Sequence, residues 1–187
     1  MFPAVFLDRD GVLIENRSDY VRDWSQVAIY PMTYSALSRL QQSDYKIVII
    51  TNQSAVGRGL ISMERAEEIN RRLISKIREH GVHIDGVYMC PHQADSRCIC
   101  RKPKPGLLFQ AANELSLDVS RSWMVGDAWS DLLAGQAANV RGAIMVKTGR
   151  GNEQLLQPQP KELDIFHLVE DVLVAAHLIT SSDLKST

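Results

Sequence analysis

Cysteine is scarce in this 187-residue chain, and the three present, Cys90, Cys98 and Cys100, lie in one short segment. An odd, clustered set is a poor disulfide framework and suits thiolates kept in a reducing, cytoplasmic compartment. Long apolar runs are missing: no stretch approaches the ~20 residues that span a bilayer, and no basic amino-terminal segment precedes an apolar core, so no membrane partner is expected. Excess charge is missing as well. A formal net charge of -1 gives no overall attraction to nucleic acid. The glycines around Arg58 lack the Gly-x-x-x-x-Gly-Lys-Ser/Thr spacing of a Walker loop. With 45% apolar and 23% charged residues, the chain fits one monomeric domain, 1–187, with a substantial core.

Apolar runs alternate with helical patterns. Ala4–Leu7, Lys46–Ile50, Gly86–Met89, Ser122–Val125 and Gly142–Val146 read as strands, and the continuous β-branched run at 46–50 predicts a strand buried on both faces. Helices are expected over Thr33–Gln42, Met63–His80, from Pro105 through Leu115, and over Ala128–Asn139. This order predicts an α/β fold, a three-layer domain on a parallel sheet with right-handed crossovers. Beyond Gly151 a Pro/Gln-rich connector, a short strand at Ile165–Phe166, a helix to about Leu178 and a frayed tail, Ser181–Thr187, are expected.

Polar residues gather where the strands end. Asp8 closes the first strand, and Gly11 lets the backbone turn so that Asp10 can be aimed toward the same pocket. Thr51, Asn52, Gln53 and Ser54 follow the second strand, and Asp127 and Asp131 follow the fourth. Within the irregular stretch Val12–Tyr30, Asn16-Arg17-Ser18-Asp19-Tyr20 follows the paired aspartates closely enough to contact a ligand, with Asp19 and Tyr20 as candidate contacts, and Arg58 is a candidate anion contact. Carboxylates converging on one sheet edge repel unless a cation joins them, and hard oxygen ligands favour Mg²⁺. Such a site suits phosphoryl transfer. Asp8 attacks phosphorus, Asp10 shuttles a proton, and Thr51 with Lys102 supplies donors to the phosphoryl oxygens. Separately, Cys90, His92, Cys98 and Cys100 form two ligand pairs with the composition of a closed, structural Zn²⁺ site, and Arg101 and Lys102 follow it directly.

Asp8-x-Asp10-Gly11, Thr51-Asn52, Lys102 and Gly126-Asp127-x-x-x-Asp131 resemble the four motifs of the haloacid dehalogenase phosphatase superfamily. Within it, Asp8-Arg9-Asp10-Gly11, Thr51-Asn52-Gln53-Ser54, the loop 90–100 and Arg101-Lys102-Pro103 are similar to the heptose-bisphosphate phosphatase family, over about 4–149, with 150–187 as an extension of the same domain. The resemblance implies a Rossmann-like domain without a large cap. It implies Mg²⁺ on Asp8, the Asp10 carbonyl and Asp127, with Asp131 supporting them from behind, and Asn52 with Arg101 recognising a small phosphorylated sugar. The chain departs from the family at Ala128, where a lysine is common, in a longer span from Asp10 to Tyr20, and in a short segment between His92 and Cys98. These departures bear on which sugar phosphate is taken. A histidinol-phosphate phosphatase and a phospho-accepting receiver-like module remain alternatives.

Overall fold

The computed structural model describes residues 1–183. Six parallel strands form one sheet: β1 (Ala4–Leu7), β2 (Lys46–Asn52), β3 (Gly86–Cys90), β4 (Trp123–Gly126), β5 (Gly142–Val146) and β6 (His167–Val169), in the order β3-β2-β1-β4-β5-β6. Connections run outward from β1 in one direction through β2 and β3, then outward from β4 in the other through β5 and β6. The carboxyl ends of β1 and β4 therefore flank the switch point, where an open α/β sheet leaves a crevice.

Both sheet faces are covered. Along β1, Val5 and Leu7 pack with Ile47, Ile49 and Val125 under α1 (Thr33–Gln41), α3 (Met63–Glu79) and α7 (Val172–Asp183). The alternate residues Ala4 and Phe6 pack with Val48, Ile50 and Met124 under α4 (Gly106–Leu115) and α5 (Trp129–Ala137). These strand residues are at most 1% exposed, which explains the uninterrupted apolar runs: neither face can be polar. Each large apolar side chain buried this way contributes ~1.5–3 kcal/mol. The short helices α2 (Ser54–Gly57) and α6 (Gly151–Leu155) sit in connections near the carboxyl edge.

The stretch 12–30 folds back on itself over that edge. Ile14 bridges to Ile29, the Glu15 N–H donates to the Ala28 carbonyl and the Tyr30 N–H to the Leu13 carbonyl. The four-residue α2 is too short to leave a periodic signal. The last strand lies at 167–169 rather than 165–166, because Ile165 points into solvent while Leu168 and Val169 pair with Met145 and Val146. The expected frayed tail is helical through Asp183, as the last turn of α7; its remainder, 184–187, lies outside the described residues. Among the described residues, no helix is long and apolar enough to cross a membrane.

Candidate active site

Asp8, at the end of β1, is 6% exposed, and its Oδ1 lies 2.6 Å from the Lys102 Nζ. The same ammonium donates to the Ile50 carbonyl at 2.7 Å and meets Asp131 Oδ1 at 2.8 Å. Lys102 is held by its backbone as well. The Asn52 side-chain amide accepts from the Lys102 N–H and donates to its carbonyl, both at 3.2 Å, imitating a strand pairing at the end of β2. A residue fifty positions away is thereby locked against the sheet edge that carries Asp8.

Asp127 follows β4 and is fully buried. Its Oδ2 accepts from the Arg150 N–H at 2.8 Å, while Oδ1 has no hydrogen-bond partner. Two glycines shape this pocket: Gly11, at φ +89°, would place a Cβ 2.0 Å from Asp127 Oδ2, and Gly149, at φ +59°, one 2.3 Å from the same atom. Asp131 Oδ2 accepts from the Ala128 N–H at 3.1 Å, capping α5 and leaving Oδ1 for Lys102.

Ligand atoms of Asp8, Asp127 and Asp131 lie within 4.8 Å of one another, all buried. Lys102 is the buried ammonium among them and the half-exposed Arg150 Nε stands 3.8 Å from Asp127 Oδ2, so the three ionised carboxylates keep at least one uncompensated negative charge. The titration behaviour follows from that excess. Burial, and after it the charges of Asp8 and Asp131, push Asp127 up to about 8. Burial outweighs the attraction of Lys102 and lifts Asp8 to about 6, with Asp131 and Asp10 adding repulsion. Burial alone would lower the Lys102 pKa, but Asp131 and Asp8 raise it, so this side chain stays an ammonium. An orphaned buried oxygen, a cradle that no side chain can enter, an all-oxygen donor set and excess negative charge fit one divalent hard cation.

Thr51 is buried, and its Oγ1 accepts from Gln53 Nε2 at 2.8 Å; the same Nε2 donates to Asp10 Oδ2 at 2.8 Å. Above these groups opens a cleft of about 570 Å³, within the range of small-molecule sites. Asp8, Asp10, Asn52, Gln53, Ser54, Tyr20, Arg101, Lys102 and Asp131 line it. Among the sequence candidates, Thr51 and Asp127 are buried and do not line it, and Asp19 and Arg58 stand apart from it. Asp19 turns outward to Arg17 and takes the Arg22 guanidinium on its carbonyl, and Arg58 caps the exposed end of α2. Arg17 of the 16–20 stretch lines the cleft with Tyr20, and Lys104, Ser130 and Arg150 line it although the motifs do not single them out. Arg150 lies in the connection that follows β5, beyond the strand end itself.

Cys90, His92, Cys98 and Cys100 form a second cluster, with ligand atoms within 4.8 Å of one another. Tetrahedral zinc requires about 3.8 Å between thiolates and about 3.5 Å between a thiolate and an imidazole nitrogen. Cys90 and Cys98 sulfurs stand 3.8 Å apart and Cys90 Sγ stands 3.5 Å from His92 Nδ1, while Cys100 Sγ lies closer in, 3.2 Å from Cys90 Sγ and 3.3 Å from His92 Nδ1. Burial, then Cys100, pushes the Cys90 thiol up to about 12. Slight burial also raises Cys98, but the Arg101 N–H, the Ser96 hydroxyl and the neighbouring thiols outweigh it and bring Cys98 to about 6. The loop aims the residues that follow it: Arg101 Nη1 donates to the His92 carbonyl at 3.0 Å and to Ser54 Oγ at 2.7 Å, and Lys104 Nζ donates to the Cys98 carbonyl at 2.6 Å.

A family model described as "HAD-hyrolase-like" matches residues 99–174. Among curated proteins, the D-glycero-beta-D-manno-heptose-1,7-bisphosphate 7-phosphatase of Pasteurella multocida is 38% identical over 156 residues, covering 80% of this chain and 84% of the relative. That of Vibrio cholerae is 39% identical, covering 79% and 83%. The crystal structure of a D,D-heptose 1,7-bisphosphate phosphatase from B. bronchiseptica, complexed with magnesium and phosphate, superposes with a TM-score of 0.88 at 30% identity, covering 96% of this chain and 99% of that one. Together with the parallel sheet and the clustered strand-end carboxylates, this likeness shows that the chain belongs to the haloacid dehalogenase-like phosphatases, in the heptose-bisphosphate 7-phosphatase family.

Proposed function

We propose that this protein hydrolyses the 7-phosphate of D-glycero-D-manno-heptose 1,7-bisphosphate through a phosphorylated Asp8. The observation that carries the reading is the buried cluster of Asp8, Asp127 and Asp131 around one buried ammonium, with negative charge left over. Asp8, Asp127 and the Asp10 carbonyl would hold Mg²⁺, which supplies charge neutralisation for an incoming phosphate dianion.

The chain's own residues do the rest. Asp8 attacks phosphorus, while the Lys102 ammonium and the Thr51 hydroxyl donate to phosphoryl oxygens that gain charge in the transition state. Asp10, held at the cleft wall, gives a proton to the departing sugar oxygen and later takes one from the water that cleaves the aspartyl phosphate. Asn52, Gln53, Ser54, Tyr20 and Arg101 face the sugar, and Arg17, Lys104 and Arg150 add positive charge for a second phosphate in the same cleft. Four basic side chains beyond Lys102 favour a doubly phosphorylated ligand over histidinol phosphate, which brings one phosphate and its own cationic amine. A zinc ion on Cys90, His92, Cys98 and Cys100 has a structural role, fixing the loop that aims Arg101 and Lys102. The reading describes a single-domain, monomeric enzyme working on a soluble metabolite. Reduced, clustered thiols and near-zero net charge support a cytoplasmic setting without nucleic-acid or membrane partners.

Phosphate release from purified protein with Mg²⁺ tests this directly, with the heptose bisphosphate, histidinol phosphate and small sugar monophosphates as substrates. The bisphosphate is expected to give the highest kcat/KM, with one phosphate released per molecule. Preferred turnover of histidinol phosphate would reassign the substrate, and a stable phosphoprotein without turnover would favour a receiver-like module.

A further inference from the structure

Arg9 lies between the two motif aspartates and is 1% exposed, among the largest fully buried side chains of the protein. A buried guanidinium is costly, and an apolar residue of similar volume commonly does as well or better for stability. Its contacts are therefore informative. Arg9 Nε donates to Asp10 Oδ2 at 3.0 Å and Nη2 to Asp10 Oδ1 at 3.1 Å, a two-pronged grip that fixes the plane of the carboxylate. At the other end Arg9 Nη1 donates to Asn70 Oδ1 at 2.7 Å. Asn70 is 7% exposed on α3, and its Nδ2 lies 3.7 Å from the Met89 sulfur of β3. Gln53 Nε2 also donates to Asp10 Oδ2, at 2.8 Å.

We infer that Arg9 and Asn70 are positioning residues: a rigid guanidinium, braced by a helix outside the cleft, holds the Asp10 carboxylate where it meets the oxygen leaving phosphorus. Gln53 alone would leave that carboxylate free to rotate about one hydrogen bond. The fork supplies two more, on both oxygens, and Asn70 keeps the fork from turning. A lysine could offer the charge without the plane. The inference rests on Asp10 being the proton donor to the leaving group.

Leaving-group dependence separates this role from general support of the fold. An alkyl oxygen needs a proton to depart, whereas p-nitrophenolate departs without one. kcat/KM ends at that departure, so we compare it for a sugar phosphate and for p-nitrophenyl phosphate in Asn70→Leu, Arg9→Lys and Asp10→Asn. Asn70→Leu and Arg9→Lys are expected to lose about tenfold or more on the sugar phosphate and less than about threefold on p-nitrophenyl phosphate, with an unchanged Mg²⁺ requirement, as befits the ~10²–10⁴-fold worth of general acid catalysis. Equal losses on both substrates in Asn70→Leu, or none on either, would overturn the inference even if Arg9→Lys does not fold. If Asp10→Asn discriminates between the substrates and Asn70→Leu does not, only the positioning role fails. If Asp10→Asn itself shows no discrimination, the proton-donor assignment fails and the inference with it.

Discussion

Replacing Asp127 with Asn should stabilise the metal-free protein while abolishing its activity. Asp127 has an ordinary carboxylate pKa near 3.8 in the unfolded chain and one of about 8 when folded, through burial and then repulsion from Asp8 and Asp131. Because the folded value is the higher one, proton binding favours the fold fully below pH 3.8, and that contribution is lost as pH rises through 8. At pH 7.5, about 1.4 kcal/mol for each unit above the unfolded value bounds the cost at roughly 5 kcal/mol, and relaxation of the site reduces it to about 2–3 kcal/mol. An amide keeps the acceptor for the Arg150 N–H, now 2.8 Å from Oδ2, and can turn its NH₂ toward the place of the unpartnered Oδ1, beside Asp8. In a chain of this length the gain corresponds to a Tm rise of roughly 5–10 °C. Thermal unfolding at pH 7.5 in chelator, repeated at pH 5 and with Mg²⁺, measures it. The gap between variant and wild type should narrow toward acid, because taking up the proton on folding costs less as pH approaches the unfolded-state value near 3.8, and Mg²⁺ should raise the Tm of wild type only. A variant less stable than wild type in chelator, or one that gains equally from Mg²⁺, would refute the charge-deficit argument.

The same titration makes Mg²⁺ affinity depend on pH. A single site near 8 weakens apparent binding roughly fiftyfold between pH 8 and pH 6, with proton release on binding, which calorimetry in buffers of different ionisation enthalpy will show. Lys102→Met removes the ammonium that lies 2.6 Å from Asp8 and 2.8 Å from Asp131. It should lower kcat by ~10²–10³ and leave buried carboxylates unpaired at a cost of ~3–5 kcal/mol in chelator, read by steady-state kinetics and denaturant unfolding. Cys98→Ser should lower zinc content below one per chain by metal analysis and raise KM several-fold more than it lowers kcat, because Lys104 and Arg101 take their aim from the Cys98 and His92 carbonyls.

Much of this arrangement is legible in the sequence because a parallel sheet converts strand order into spatial convergence. Asp8, Thr51 and Asp127 each end an apolar run, and the topology brings those ends to one edge. Lys102 belongs to no strand, and the distance from the zinc-ligand pattern to Arg101-Lys102-Pro103 is what links it to the site. Other features depend on contacts that no local pattern encodes. Arg9 reads as a spacer between two aspartates until α3 brings Asn70, 61 residues away, within 2.7 Å. Arg150 sits past the last motif, in a connection whose composition resembles an ordinary turn, yet its N–H caps Asp127. The misplaced final strand follows from the same limit: Ile165-Phe166 is the more apolar dipeptide, but pairing with β5 selects His167–Val169.

The central claim is that Asp8 becomes phosphorylated during turnover. Rapid acid quench of enzyme mixed with substrate and Mg²⁺, followed by peptide mass spectrometry, should find one phosphoryl group on the peptide containing Asp8, removed by neutral hydroxylamine and absent from Asp8→Asn. Phosphoryl label on another residue, or full turnover by Asp8→Asn with no labelled peptide, would contradict it.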